Sequence, residues 1–252
     1  MNELELKNVC KSFPRLDVDE ITVAVQDVSV RVTDGEFVSL VGMSGCGKST
    51  ILRLIAGLIN PTSGELLLNG EKIEKPAPNR GMVFQMPTLF PWLTVEQNVA
   101  FSLNVLNKYK GKKEKLDELI KTVGLSDFAS SYPHQLSGGM AQRVALIRTM
   151  INEPEVFLLD EPLGALDAFT RMNMQDELIS MWQARRNIVL LVTHDIDEAV
   201  YLSTRVLVMA PRPGRIKADI PIALEYPRNR TSSDFVKYRN EIMDMLHFGG
   251  TL

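Results

Sequence analysis

The sequence predicts an α/β fold in three parts: a parallel-sheet core, an N-terminal antiparallel β region and an inserted helical region. Three observations predict it. The continuous apolar runs EFVSLVG, EVFLLD and NIVLLVTH are what strands covered on both faces require. The first of them enters a glycine-rich loop and then a helical pattern, KSTILRLIAGL, the strand–loop–helix unit of a parallel sheet. Between that unit and the last two runs lies a stretch, about residues 94–152, almost free of strand signals. The sheet therefore begins, is interrupted by helices, and resumes.

In chain order, the apolar positions Val23 and Val25, then Val28, Val30 and Val32, alternate as antiparallel strands with one covered face do. In GELLLNGEKI, Asn69–Gly70 separates two short strands, a strong hairpin signal because both residues tolerate positive φ. Polar, Pro-rich sequence then leads to a short strand, GMVFQ. Thr94, followed three residues later by Gln97, predicts a capping box that opens the helical region. After EVFLLD comes a helical stretch around Met172–Arg185. The tail carries a short strand at Arg205–Met209, a turn at Pro211–Gly214 and a final helix from about Ser233 to Phe248. The expected division of this single domain is a core at about 34–85 and 153–210, a helical insertion at about 86–152 and a C-terminal extension at about 211–252.

A chain of 252 residues, 45% hydrophobic, can bury a full core, which argues against disorder. With 28 basic and 31 acidic residues the net charge is -3, so no broad positive field is available and no nucleic-acid partner is expected. The start, MNELELKNV, is acidic where a signal peptide is basic. The longest apolar runs, such as Val156–Leu159 and Ile188–Val192, are far shorter than the roughly 20 residues of a membrane-spanning helix. Any membrane link is expected to come through partners. Cys10 and Cys46 are too few for a disulfide framework and suit a reducing cytoplasm.

Gly42-Met43-Ser44-Gly45-Cys46-Gly47-Lys48-Ser49-Thr50 matches the phosphate-loop pattern in its proper context, after a strand and before a helix. Glycines let successive backbone N–H groups converge on phosphate oxygens, and the helix opening near Lys48 adds the positive end of its dipole. Lys48 is expected at the β and γ phosphates, Ser49 on Mg²⁺, and Thr50 near the α-phosphate. Cys46 sits at a variable position of the loop and reads as a small filler rather than a nucleophile. The second chemical feature is the pair Asp160-Glu161 at the end of an apolar strand, at the sheet edge where open α/β folds bind ligands. Adjacent residues point different ways, so Asp160 can serve the Mg²⁺ shell while Glu161 faces the γ-phosphate and its attacking water. A solvated acidic turn is the plainer reading of two such carboxylates in isolation; the phosphate loop tips the balance.

The discriminating residues are Leu136-Ser137-Gly138-Gly139-Met140, followed by AQRVALIRTM. Here the chain resembles the ATPase subunits of ABC transporters, whose signature begins LSGG and precedes a helix and then the acidic-pair strand. The resemblance covers nearly the whole chain: Phe13 matches the aromatic that stacks on adenine, Gln85 the Q-loop, Gly164-Ala165-Leu166-Asp167 the D-loop and His194 the switch histidine. Met140 departs from the family's commonest glutamine, while Gln142 and Arg143 keep the later part of the pattern. Ser137, Gly138 and Gly139 open a helix, so their N–H groups form a second phosphate site. The resemblance implies that this site closes over ATP held by the phosphate loop of a second, identical subunit. It also implies that Gln85 contacts Mg²⁺ or the water, and that His194 meets the γ-phosphate. Two readings stay open for Asp167, a bridge to the partner subunit or a helix cap, and two for Phe13, adenine stacking or core packing. His134 and His247 receive no role.

Leu89-Phe90-Pro91-Trp92-Leu93 is unusually apolar for a loop, and exposed apolar clusters mark interaction sites. In the family this neighbourhood receives a helix of the membrane permease. LFPWLTVEQNVAF and APRPGRI resemble the nitrate, sulfonate and taurine importer branch. The resemblance then implies ATP and Mg²⁺ as ligands, a homodimer, permease subunits, an extracytoplasmic solute-binding protein reached indirectly, and a place on the cytoplasmic face of the cell membrane. A soluble relative acting on DNA or ribosomes would be expected to carry tandem cassettes, a coiled coil or a basic surface, and an exporter cassette is often fused to transmembrane helices. The transported solute is not readable from this chain.

Overall fold

The computed structural model describes residues 1–14 and 21–247. Its centre is a six-stranded sheet in the order β10-β9-β3-β8-β7-β6. Strands β3 (Phe37–Val41), β6 (Arg80–Val83), β7 (Val156–Asp160), β8 (Ile188–Val192) and β9 (Arg205–Met209) run parallel, and β10 (Ile216–Pro221) closes one edge antiparallel to β9. Every residue of β3, β7 and β8 is buried. Their side chains alternate between two cores. Phe37, Phe157, Leu159, Val189 and Leu191 face one; Val38, Leu40, Val156, Leu158 and Leu190 face the other. That two-sided covering is why these strands read as unbroken apolar runs.

The second core lies against helix α1 (Lys48–Ile55) and a four-stranded antiparallel sheet, β2-β1-β4-β5. Its strands are β1 (Glu3–Pro14), β2 (Ile21–Thr33), β4 (Ser63–Leu68) and β5 (Glu71–Lys72). The valines of β2 form two alternating sets of opposite parity within one strand: Val25 is buried, and so are Val28 and Val32. A bulge between the sets, with Asp27 at φ 50° opposite Asn8 at φ 48°, keeps Val25, Val28 and Val32 on the core side, while Val23, expected to be covered with Val25, is exposed near the strand's start. The Asn8 amide donates to Asp27 Oδ1 at 2.9 Å and holds the kink. Asn69 and Gly70, at φ 55° and 80°, make the tight turn between β4 and β5.

The other core is covered by helices α2 (Val95–Val105), α3 (Lys113–Thr122) and α4 (Gly138–Met150), inserted between β6 and β7, and by α5 (Ala168–Arg185), α6 (Ile196–Leu202) and α7 (Ser233–His247). Thr94 and Gln97 form the expected reciprocal capping box on α2. Asn98, fully buried in α2, accepts from the Phe90 N–H and donates to the carbonyls of Phe90, Leu93 and Thr94, which fixes the apolar loop before the helix. In the tail, buried Phe235 and Ile242 join this core. Arg228, also buried, donates to the carbonyls of Val200 and Ser203 at the end of α6, where unsatisfied carbonyls and the negative end of the helix dipole favour a cation. Phe248, the expected end of the last helix, lies outside the described residues.

Candidate active site

β3 delivers the chain into the phosphate loop at Gly42, and Gly47, at φ 96°, is the N-cap of α1. A Cβ on Gly47 would stand 2.7 Å from the Ala24 carbonyl oxygen of β2, and one on Gly42 would stand 2.8 Å from Cys46 Sγ. Only glycine fits either place. Cys46 is buried under the loop as a filler. The buried Lys48 ammonium donates to the carbonyls of Gly42 at 2.8 Å and Met43 at 3.2 Å. The Ser49 hydroxyl donates to Asp160 Oδ1 at 2.9 Å. These two oxygens are hard donors of the kind a small divalent cation takes.

Above the loop opens a cleft of about 540 Å³. Ser44, Gly45, Gly47, Lys48, Ser49 and Thr50 form one wall, Ala24 one end, and Gln85, Glu161 and His194 the facing wall. The last three follow β6, β7 and β8, so neighbouring parallel strands bring them together at their C-terminal ends. Gln85 Nε2 donates to Glu161 Oε2 at 3.1 Å, and His194 Nδ1 lies 3.3 Å from the same oxygen. Glu161 sits at φ 48°, a left-handed conformation that costs a non-glycine residue about 1 kcal/mol or more. Its N–H still pairs with Val192 O at 2.9 Å, so the chain leaves the sheet at that residue and not before. Asp160 remains buried on the strand. Burial pushes its carboxyl above the usual range, against the opposing pull of the Ser49 hydrogen bond.

His194 is exposed, but its neighbours are tied down. The Asp195 N–H donates to Thr193 Oγ1 at 3.1 Å, and Asp195 caps α6 by accepting from the Glu198 N–H at 3.0 Å. Glu198 is buried, accepts from Gln175 Nε2 at 3.2 Å, and is raised in pKa by that burial. Sequence reasoning missed this support. The spacing Asp195-x-x-Glu198 was the available signal, an acidic cap with a glutamate three residues on.

Several expected residues stand away from the cleft. Ser137 is the N-cap of α4 and accepts from the Met140 N–H at 3.2 Å, with Gly138 exposed beside it. Asp167 caps α5 through the Thr170 N–H at 3.0 Å, and such backbone hydrogen bonds hold its carboxyl below the usual range. The cap is the reading of Asp167 that a single chain displays. Phe13, the last residue but one of β1, is exposed, with the Lys11 ammonium 5.1 Å from its ring centroid. Gln142 links the two regions: buried in α4, it donates to the carbonyl of Phe84, the residue before Gln85, at 3.2 Å.

A family model described as ABC transporter matches residues 25–164, a span that takes in the phosphate loop, Gln85, the LSGG segment and the acidic pair. The chain belongs to the ABC transporter family. It is the ATP-binding, ATP-hydrolysing kind of subunit. It is 45% identical over 228 residues, 90% of each chain, to an aliphatic sulfonates import ATP-binding protein of Bacillus anthracis. It is 50% identical over 245 residues, 97% of this chain and 91% of the relative, to an uncharacterized ABC transporter ATP-binding protein of Methanocaldococcus jannaschii. Among solved structures it is similar to the ATP-binding cassette MJ0796 in a dimeric post-hydrolysis state bound to ADP and Pi. The TM-score is 0.77 at 33% identity, covering 88% of this chain and all of that ABC cassette. As in other ABC ATPases, a mixed α/β core carries an antiparallel sheet and a helical insertion. No helix of the described residues is long and apolar enough to cross a membrane.

Proposed function

We propose that this chain drives an importer of a small solute of the sulfonate, taurine or nitrate kind. In this reading two copies pair on the cytoplasmic face of the membrane beneath permease subunits, and an extracytoplasmic binding protein delivers the solute. The observation that carries the catalytic part is the convergence of Gln85 and His194 on one oxygen of Glu161, across the cleft from Lys48 and Ser49. Lys48 and the loop N–H groups bind the β and γ phosphates and draw off the charge that develops as the bond to the leaving oxygen breaks. Glu161 accepts the proton of the water that attacks the γ-phosphorus, with Gln85 holding the carboxylate and His194 beside the departing phosphate. Products are ADP and phosphate. Ser49 and Asp160, with Gln85 nearby, fit Mg²⁺, an ion that takes few protein oxygens and completes its shell with water and phosphate; when bound it neutralises phosphate charge. Ser137, Gly138 and Gly139 of one copy close over the nucleotide of the other, with Asp167 at the seam and Phe13 against the adenine.

Support for the permease comes from the helical insertion. Phe90 packs between Phe101 and Trp92, with ring centroids 4.3 and 5.7 Å away, and Trp92 is 69% exposed. Beside them runs an open groove of about 570 Å³, lined by Phe90, Phe101, Val105 and Arg148 among others. An apolar groove of this shape suits the amphipathic face of a partner helix. The sulfonate side of the reading rests on what the relatives' names say they import. The test is purification of the full chain with its membrane partners, followed by ATP hydrolysis in vesicles with candidate solutes and their binding protein. Stimulation by a solute presented outside supports the reading. Purification without any membrane protein, together with hydrolysis indifferent to every solute, would remove the importer from it.

A further inference from the structure

The loop between β9 and β10, Ala210-Pro211-Arg212-Pro213-Gly214-Arg215, lies against the phosphate loop and is anchored from two sides. It closes on itself through the Ala210 N–H to the Arg215 carbonyl at 2.9 Å. It joins β2 through the Gly214 N–H to Ala24 O at 3.1 Å and the Gln26 N–H to Gly214 O at 2.9 Å, and through the Arg215 guanidinium to Gln26 Oε1 at 2.5 Å. The contact with the phosphate loop is backbone on backbone: a Cβ on Gly214 would stand 2.0 Å from the Cys46 carbonyl oxygen and 2.9 Å from that of Ala24. From this anchored base Arg212 reaches over. Its Nε donates to the Gly45 carbonyl at 3.2 Å, and a terminal nitrogen lies 2.7 Å from where a Gly45 Cβ would stand. Gly45 lines the cleft and sits at φ 75°. It is conformationally the freest residue type, at the place where order is most needed. Among the described residues no carboxylate pairs with Arg212.

We infer that Arg212 is a positioning residue for the phosphate loop: its hydrogen bond to the Gly45 carbonyl turns that peptide group away from the cleft and holds the glycine in its left-handed state. A loop whose carbonyls face outward presents N–H groups inward without having to be reordered when the anion arrives, and that preorganisation is read as affinity. Arg212 does not line the cleft, so it acts through Gly45 and not on the nucleotide. The inference rests on the phosphate loop being the ATP site.

The decisive property is that the bond is made by Nε. Glutamine carries its amide nitrogen the same number of bonds from the backbone, with N–H donors and no charge. The test is titration of the full chain with ATP·Mg²⁺, alongside KM and kcat for hydrolysis. Arg212→Ala should weaken ATP binding about five- to tenfold, the worth of one ordinary solvent-exposed hydrogen bond, and raise KM by a similar factor, with kcat within about twofold because Glu161 and His194 lie on other strands. Arg212→Gln should recover most of the affinity. Arg215→Ala, in the same loop but bonded to Gln26, should bind ATP within about twofold of the unchanged chain. Equal affinity in the unchanged chain and Arg212→Ala overturns the inference. So does Arg212→Gln as weak as Arg212→Ala, which would make the charge, and not the carbonyl bond, the operative feature; so does a loss confined to kcat. Failure of the unchanged chain to bind ATP would instead overturn the site itself, and the inference with it.

Discussion

Replacing Glu161 by glutamine changes one oxygen to an amide nitrogen and almost nothing else. The side chain keeps its length and its place at the left-handed turn after β7, and the backbone N–H keeps its bond to Val192 O. What goes is the carboxylate oxygen that faces both Gln85 and His194, and among the described residues that line the cleft no other carboxylate is present. General-base assistance contributes about 10²–10⁴ in rate, so kcat should fall by that factor. Affinity for ATP should stay within about threefold, because the groups facing the phosphates, Lys48, Ser49 and the loop, are untouched. Slow turnover with intact binding accumulates the nucleotide-bound pair, so gel filtration with ATP should show a shift to twice the mass. Steady-state hydrolysis and nucleotide titration on the same preparation check both halves. Turnover within about tenfold of the unchanged chain would refute the assignment of Glu161 as base, and loss of binding would show that its role is structural.

Three further outcomes follow from the geometry. Lys48→Ala should abolish detectable ATP binding while circular dichroism stays native, because the ammonium's partners, the Gly42 and Met43 carbonyls and Cys46 Sγ, all belong to its own loop; a change confined to stability would contradict it. Asp160→Asn should raise Tm and abolish hydrolysis. Burial holds the folded carboxyl above its unfolded pKa, so the ionised form opposes folding once pH exceeds the unfolded value, and the neutral amide removes that cost; a lower Tm at pH 7 would contradict the sign. Asn98→Ala should lower folding stability by about 1–3 kcal/mol in urea titration, by stranding the Phe90 N–H and the Leu93 carbonyl, while the carbonyls of Phe90 and Thr94 keep their backbone partners. Hydrogen exchange should rise in residues 89–94 with ATP binding unaltered, and protection equal to that of the unchanged chain would contradict the role given to Asn98.

The strands buried on both faces were legible because two-sided burial leaves no room for polar alternation, and β3, β7 and β8 appear where their apolar runs lie. Thr94 and Asn69–Gly70 were legible because capping boxes and tight hairpins impose residue types locally. Strand β10 was not. It buries one face, with Ile220 inward and Lys217 and Asp219 outward, over only six residues at a sheet edge, and such a pattern is weak between a Pro-Gly turn and Pro221. Helix α6 spans seven residues, too few turns for a helical period to show. At the site, the cleft-lining residues were legible as motifs because phosphate chemistry dictates glycines, a lysine and carboxylates at fixed offsets. Arg212 gave no such signal: its partner is a backbone carbonyl 167 residues away in sequence, which only the folded chain reveals.

The account stands or falls on whether the cleft is completed by a second copy, since Ser137 and Gly138 face outward in one chain and line no part of its own cleft. Ser137→Arg leaves the phosphate loop intact and blocks the LSGG surface; Lys48→Ala does the reverse. Each variant alone should be inactive. In titrated mixtures, heterodimers contain one interface with two sound halves, so hydrolysis, or at the least nucleotide trapped at one per pair, should return in proportion to the mixed species. Neither hydrolysis nor trapped nucleotide at any ratio would contradict a site shared between two chains.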